Sequence, residues 1–177
     1  MKRNFENFRI IRSVGWVIAM MFVLAFMAPV VSNAQSGKVD FSGDWKLNAE
    51  KSIVGEGFGQ RMGGGNIVAT HEANLLTVVR TRTNQNGETV TTTSKYSLDG
   101  KESINTSTRG ESKSIASWSA DGKALTIETS RTFDMNGESR TMKSSEVWTL
   151  TDAKTLSVQT SFTTPDGELK STRVYDK

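Results

Sequence analysis

Five Asx-Gly dipeptides punctuate the chain: Asn86-Gly87, Asp99-Gly100, Asp121-Gly122, Asn136-Gly137 and Asp166-Gly167. Asn, Asp and Gly reach the positive φ values that tight hairpin turns require. The stretches between them are short and rich in Thr, Ser and Val, as strands are. After Ala34 no stretch carries a helical period with caps. Many short strands with regular turns leave a sandwich or a barrel as the available architectures.

An internal repeat narrows the choice. Glu72–Thr83, Asp121–Thr132 and Asp152–Thr163 each read as a turn followed by a strand carrying Leu-Thr/Ser-Val/Ile. A Gly-Glu turn follows each copy (Gly87-Glu88, Gly137-Glu138, Gly167-Glu168), and a return strand ends on an aromatic, Tyr96, Trp148 or Tyr175. A less similar pair, about Glu102–Asn105 and Ser112–Ser119, lies between the first two copies. With an opening strand Phe41–Leu47 and a short strand near Ile67–His71, about ten strands are expected. Successive hairpins lie side by side, and closing the sheet hides its edges. The expected fold is an all-β antiparallel up-and-down meander, closed or nearly closed into a barrel, with a two-sheet sandwich as the alternative.

The N-terminus reads as a targeting segment. Lys2, Arg3, Arg9 and Arg12 precede an apolar run from Val14 to Val31, then Ser32-Asn33-Ala34. That is the order of a secretory signal, with cleavage expected after Ala34 and a periplasmic or secreted mature protein. The same run is long enough to span a bilayer if left uncleaved. Membrane contact is expected only through this segment, before cleavage. The expected organisation is a signal peptide over 1–34 and one barrel domain over 35–177, with a glycine-rich loop at 48–66. That loop is read either as a surface loop or as a flap over an opening.

Charge follows the same division. The first 34 residues hold four of the 22 basic residues and one of the 19 acids, so the remainder carries eighteen of each. A neutral domain lacks the basic footprint that nucleic acid requires. The chain has no cysteine, which removes disulfides, thiol catalysis and thiolate metal sites. His71 is the one histidine, so a histidine-based zinc site is not expected, and His71 itself reads as an exposed or turn-adjacent strand residue. No Gly-x-Ser-x-Gly elbow, P-loop or dinucleotide fingerprint is present. No catalytic residue, metal or cofactor is expected. An enzyme would have to use strand-borne carboxylates from distant strands, for example Glu128 and Glu146.

Side chains alternate along a strand, so parity sorts them into faces. Leu76 and Val78 share a face with Arg80 and Arg82; Leu125 and Ile127 with Thr129 and Arg131; Leu156 and Val158 with Thr160 and Phe162. Leu169 shares its face with Ser171, Arg173 and Tyr175. If the leucines and valines fill a barrel, Arg80, Arg82, Arg131 and Arg173 belong to its lumen or rim. There they either reach out to solvent, pair with inward acids such as Glu128 or Glu146, or hold an anionic ligand through the guanidinium fork.

Two segments resemble a known group. Phe41-Ser-Gly-Asp-Trp-Lys-Leu47 is similar to the first strand of calycins, the lipocalins and fatty-acid-binding proteins. Ser171-Thr-Arg-Val-Tyr-Asp-Lys177 is similar to the closing strand of fatty-acid-binding proteins, whose Arg-x-Tyr pair holds the lipid carboxylate. The opening string also resembles that of small secreted bacterial proteins. The resemblance implies a ligand site at Arg173 and Tyr175, and a barrel end closed by Trp45 with Gly43. Arg173 could instead lie across the Trp45 indole. Fatty-acid-binding proteins carry two helices after the first strand, where this chain has its glycine loop.

The expected function is an exported binding protein for a small apolar or amphiphilic ligand, fatty-acid-like and acidic at one end. Arg173 and Tyr175 would hold the head, with Arg131, Arg80 and Arg82 nearby. The apolar body would lie against Leu76, Val78, Leu125, Ile127, Leu156 and Val158. The alternative is a non-enzymatic envelope or interaction module with a packed interior. The oligomeric state is left open.

Overall fold

The structure, a computed structural model, describes residues 37–54, 64–84, 86–107, 110–135, 137–164 and 167–177. The expected signal segment lies outside the described residues, as do 55–63 of the glycine loop, Asn136, Pro165 and Asp166.

Among the described residues every regular element is a strand. In chain order these are β1 (Gly43–Val54), β2 (Asn66–Glu72), β3 (Leu75–Thr83), β4 (Thr89–Ser97), β5 (Glu102–Ser107), β6 (Gly110–Trp118), β7 (Ala124–Met135), β8 (Glu138–Asp152), β9 (Thr155–Thr164) and β10 (Gly167–Asp176). They form one antiparallel sheet ordered β4-β3-β2-β1-β10-β9-β8-β7-β6-β5. Each strand neighbours the next in sequence, and β10 returns to β1. The result is a nearly closed ten-stranded meander barrel. The glycines of the five Asx-Gly dipeptides all sit at positive φ, which is why those dipeptides mark its turns.

The barrel is open along one seam, between β4 and β5. Asp99-Gly100 turns the chain as expected, yet no ladder joins the strands it connects. Side chains bridge them instead. The Asn105 Oδ1 accepts from the Lys95 N–H at 2.7 Å, and its Nδ2 donates to the Lys95 carbonyl at 3.0 Å. The Ser103 Oγ accepts from the Ser97 N–H at 2.7 Å.

The opening strand is longer than the sequence suggests. It runs on to Val54 through a bulge opposite β10, where Asn48 pairs with Val174 and Ile53 with Thr172. The bulge is held by its own polar side chains. The Ser52 Oγ donates to the Asn48 carbonyl at 2.6 Å and accepts from the Val174 N–H at 3.0 Å. Those bonds satisfy backbone groups that a bulge leaves unpaired, so residues 48–54 are strand rather than loop.

One end is filled. Phe41, Trp45, Ile67, Leu76, Val78, Leu125, Ile127, Trp148, Leu156, Val158 and Tyr175 form a contiguous buried core there. The aromatic residues that end the three repeats, Tyr96, Trp148 and Tyr175, all fall inside it.

Candidate functional site

The floor of the interior is aromatic. Phe41 stacks on Trp118 at 5.8 Å between ring centroids and meets the Trp148 ring edge-on at 5.8 Å. Its carbonyl accepts a 2.9 Å bond from the Trp45 Nε1. Such rings exclude water and bury a large area each. Gly43 sits at φ +148°, and a Cβ there would collide with the Lys177 side chain. Lys177 uses that space to place its Nζ over the Trp45 ring at 5.1 Å and to donate to the Ser42 carbonyl at 2.9 Å. The cation across Trp45 is therefore Lys177 rather than Arg173. Trp45 is buried in the core, and Gly43 lies against the Lys177 side chain.

His71 completes this floor. It is the turn-adjacent last-but-one residue of β2, but its side chain is only 10% exposed, stacked on Trp118 at 5.7 Å. Burial pushes its pKa down, against the pull of Asp40 and with the help of Lys38. Its Nδ1 accepts from the Phe41 N–H at 3.3 Å, so that nitrogen carries no proton. The 3.6 Å approach of Asp40 to the same nitrogen is then not an ion pair.

Above the floor stands a buried ion pair. The Arg80 Nη2 donates to the Glu146 Oε2 at 2.6 Å, and the Trp148 Nε1 donates to the same oxygen at 3.0 Å. The Arg80 guanidinium lies over the Trp148 ring at 5.7 Å. Burial by itself would weaken both charges. The Glu146 carboxylate more than reverses this for Arg80, whose pKa is raised. Arg80, the Trp148 N–H and Arg173 together hold the Glu146 carboxyl below its ordinary value. Both groups therefore stay charged. Their side chains keep 29% and 20% exposure because one side of the pair faces a cavity.

That cavity has a volume of about 420 Å³. Arg80, Arg82, Arg131 and Arg173 all line it, and Glu146 is the one acid among its described lining residues. Hydroxyls make up much of the wall, including Ser112, Ser114, Thr129, Ser144 and Thr160, while Val90, Met142 and Phe162 are its aliphatic and phenyl part. Tyr96 also lines it, and burial pushes its phenol up, so it remains a neutral donor. The cavity reaches the β4–β5 seam, since Thr93 and Thr106, on the outward faces of those strands, also line it. Gly65, at the end of the glycine run, lines it too, and a Cβ there would strike the Thr81 carbonyl. The remainder of the expected flap lies outside the described residues.

Several expectations change at this point. Leu76, Val78, Leu125, Ile127, Leu156 and Val158 point inward, but they fill the core and none lines the cavity. Parity gives the face of a strand, not the depth at which the aromatic floor stops. Glu128 alternates with the inward Ile127, so it is exposed outside and shares no site with Glu146. Arg173, with only 5% exposure, reaches the cavity and sits within bonding range of the Ser171 Oγ at 3.4 Å. Tyr175, two residues on, is packed in the core. In the sequence Glu146 is one acid among several and Trp148 a strand-ending aromatic. Their shared inward parity on β8, two residues apart, was the available signal.

Fold and interior together define a nearly closed ten-stranded meander barrel with a polar, arginine-lined cavity over an aromatic floor. Among solved structures it is similar to the zebrafish ileal bile acid-binding protein complexed with cholic acid, with a TM-score of 0.52. The two share 19% sequence identity over 77% of this chain and 98% of that chain, a likeness of fold. No family model and no curated protein matches the chain.

Proposed function

We propose that this is an exported binding protein whose barrel takes a small acidic ligand. The observation that carries this reading is the cavity itself: among its described lining residues four guanidiniums face one carboxylate, inside a domain whose overall charge is balanced. Concentrating cations in a partly enclosed space is costly unless something anionic meets them. The volume falls within the ordinary range for small-molecule sites, about 300–1,000 Å³. The zebrafish protein of similar fold, a bile acid-binding protein, supports the same use of the interior. Arg173, which reaches the cavity from β10, is the anchor for the ligand's acid. A wholly apolar ligand fits poorly, because the leucines and valines expected to receive it are spent on the core. The packed envelope module requires a filled interior, and a cavity of this size weighs against it.

Titration calorimetry of the purified protein with dodecanoate and with dodecanol tests the reading. The acid is expected to bind and the alcohol not, with Arg173→Met weakening the acid at least tenfold. Equal binding of both, or of neither, removes the proposal. Export has its own check. The N-terminus of protein recovered from the periplasm or medium is expected to be Gln35, and recovery of the intact leader in the membrane fraction would overturn cleavage.

A further inference from the structure

The arginines of this chain are distributed unlike its lysines. Eleven lysines and seven arginines follow residue 34. None of those lysines lines the cavity, whereas four of the arginines do. Four of the lysines pair outside, with Asp176, Asp99, Glu102 and Glu168. Inside, Glu146 is already committed to Arg80 and Trp148. Arg82 and Arg131 face the same space and form no ion pair with any described residue. The Arg131 Nε is buried with no hydrogen-bond partner among the described residues.

Height along the barrel separates these groups. Glu146 stands opposite Ile127 in the β7–β8 ladder, and Arg131 stands opposite Met142. Those positions differ by four residues, about 13 Å along a strand at roughly 3.3 Å per residue. Arg173 lies opposite Val158, below the level where Glu146 meets Thr160. Arg82 is one inward position above Arg80 on β3. The cavity therefore has a lower cationic level at Arg173 and an upper one rooted at Arg82 and Arg131.

Resting on the ligand-binding reading above, we infer that the ligand carries two separated anionic groups, the second held by Arg82 and Arg131. A monocarboxylate held at Arg173 would leave Arg82 and Arg131 in a partly desolvated cavity with no counter-charge among the described residues. Arginine suits the second group as it does the first, since its planar fork takes an oxyanion through two parallel bonds.

Calorimetry with dodecanoate and dodecanedioate, acids of one chain length with one and two carboxylates, provides the test. The diacid is expected to bind at least tenfold tighter at low salt, with a steeper loss on adding salt. In Arg82→Met/Arg131→Met the diacid should fall to the affinity of the monoacid, whose own binding is unchanged. The single variants should each remove part of that advantage if the double variant does not fold. Equal affinity of the two acids for the unaltered protein, or equal weakening of both by the double variant, overturns the second site while the acidic-ligand reading stands. Binding of neither acid removes both.

Discussion

The closed end and the open half of the barrel are made by the same strands in the same pleat, and they differ in what the inward positions carry. Along β3 the inward series runs Leu76, Val78, Arg80, Arg82. Along β7 it runs Leu125, Ile127, Thr129, Arg131, and along β9 Leu156, Val158, Thr160, Phe162. The lower two positions of each join the aromatic floor, and the upper two face the cavity. Trp148 stands at the boundary, with its ring against Phe41 and its N–H on Glu146. One half of the interior is thus built to exclude water and hold the fold. The other keeps charges and hydroxyls where packing would have been more stabilising, a pattern common to functional sites.

This contrast can be broken most directly at Trp148. Trp148→Ala is expected to cost about 3–5 kcal/mol of unfolding free energy, the range for truncating a buried aromatic. Urea denaturation measures it, and a loss below about 1 kcal/mol would mean the floor is not the core.

Glu146→Gln comes next. It leaves the Arg80 guanidinium without its counter-charge and should cost about 2–3 kcal/mol, less than a fully buried pair because the cavity side admits water. Arg80→Met combined with Glu146→Leu should recover most of that loss, which a double-mutant cycle would show.

Acid should act on both halves in the same direction. The His71 pKa is depressed by burial, so its contribution is complete above about pH 6.5 and shrinks as pH falls from there through the folded value. The Glu146 pKa is also depressed, so its contribution is complete above the usual carboxyl range and is lost at lower pH. Stability measured against pH should fall in two stages, with His71→Phe removing the first and Glu146→Gln flattening the second. A single late stage in the unaltered protein would show that His71 does not titrate with folding.

Smaller effects are expected away from the floor. Asn105→Ala removes two side-chain bonds across the β4–β5 seam and should cost about 1 kcal/mol, seen first as faster hydrogen exchange at the Lys95 amide. Arg82→Met should change stability by no more than about 0.5 kcal/mol, because that side chain forms no described ion pair to lose. A large destabilisation by Arg82→Met would make the upper arginines part of the scaffold.

Strand number, order and inward faces were legible from local signals. Asx-Gly pairs mark turns through backbone φ preferences, and parity follows from the pleat, so both act over a few residues and survive in one dimension. The repeat marks Tyr96, Trp148 and Tyr175 as strand-ending aromatics, and the structure places all three in the core. The inward placement of Arg80, Arg82, Arg131 and Arg173 followed from the same alternation. Local signals failed where depth or cross-barrel partnership mattered. Nothing near Leu76 indicates that Phe41 and Trp148 will fill the space in front of it, and nothing near Glu146 selects Arg80 as its partner. The bulge through Asn48 and Ser52 was missed because its bonds join β1 to β10, at opposite ends of the chain.

By itself, then, the sequence of this protein determined a meander of hairpins and which side of each ribbon turns inward, since φ preferences and alternation belong to neighbouring residues. Tertiary structure alone decided where the packed floor ends, which arginine receives the Glu146 carboxylate, and that a cavity is left above them. Those outcomes depend on how strands far apart in the chain meet across a closed sheet, a geometry set by closure and volume rather than by any local preference.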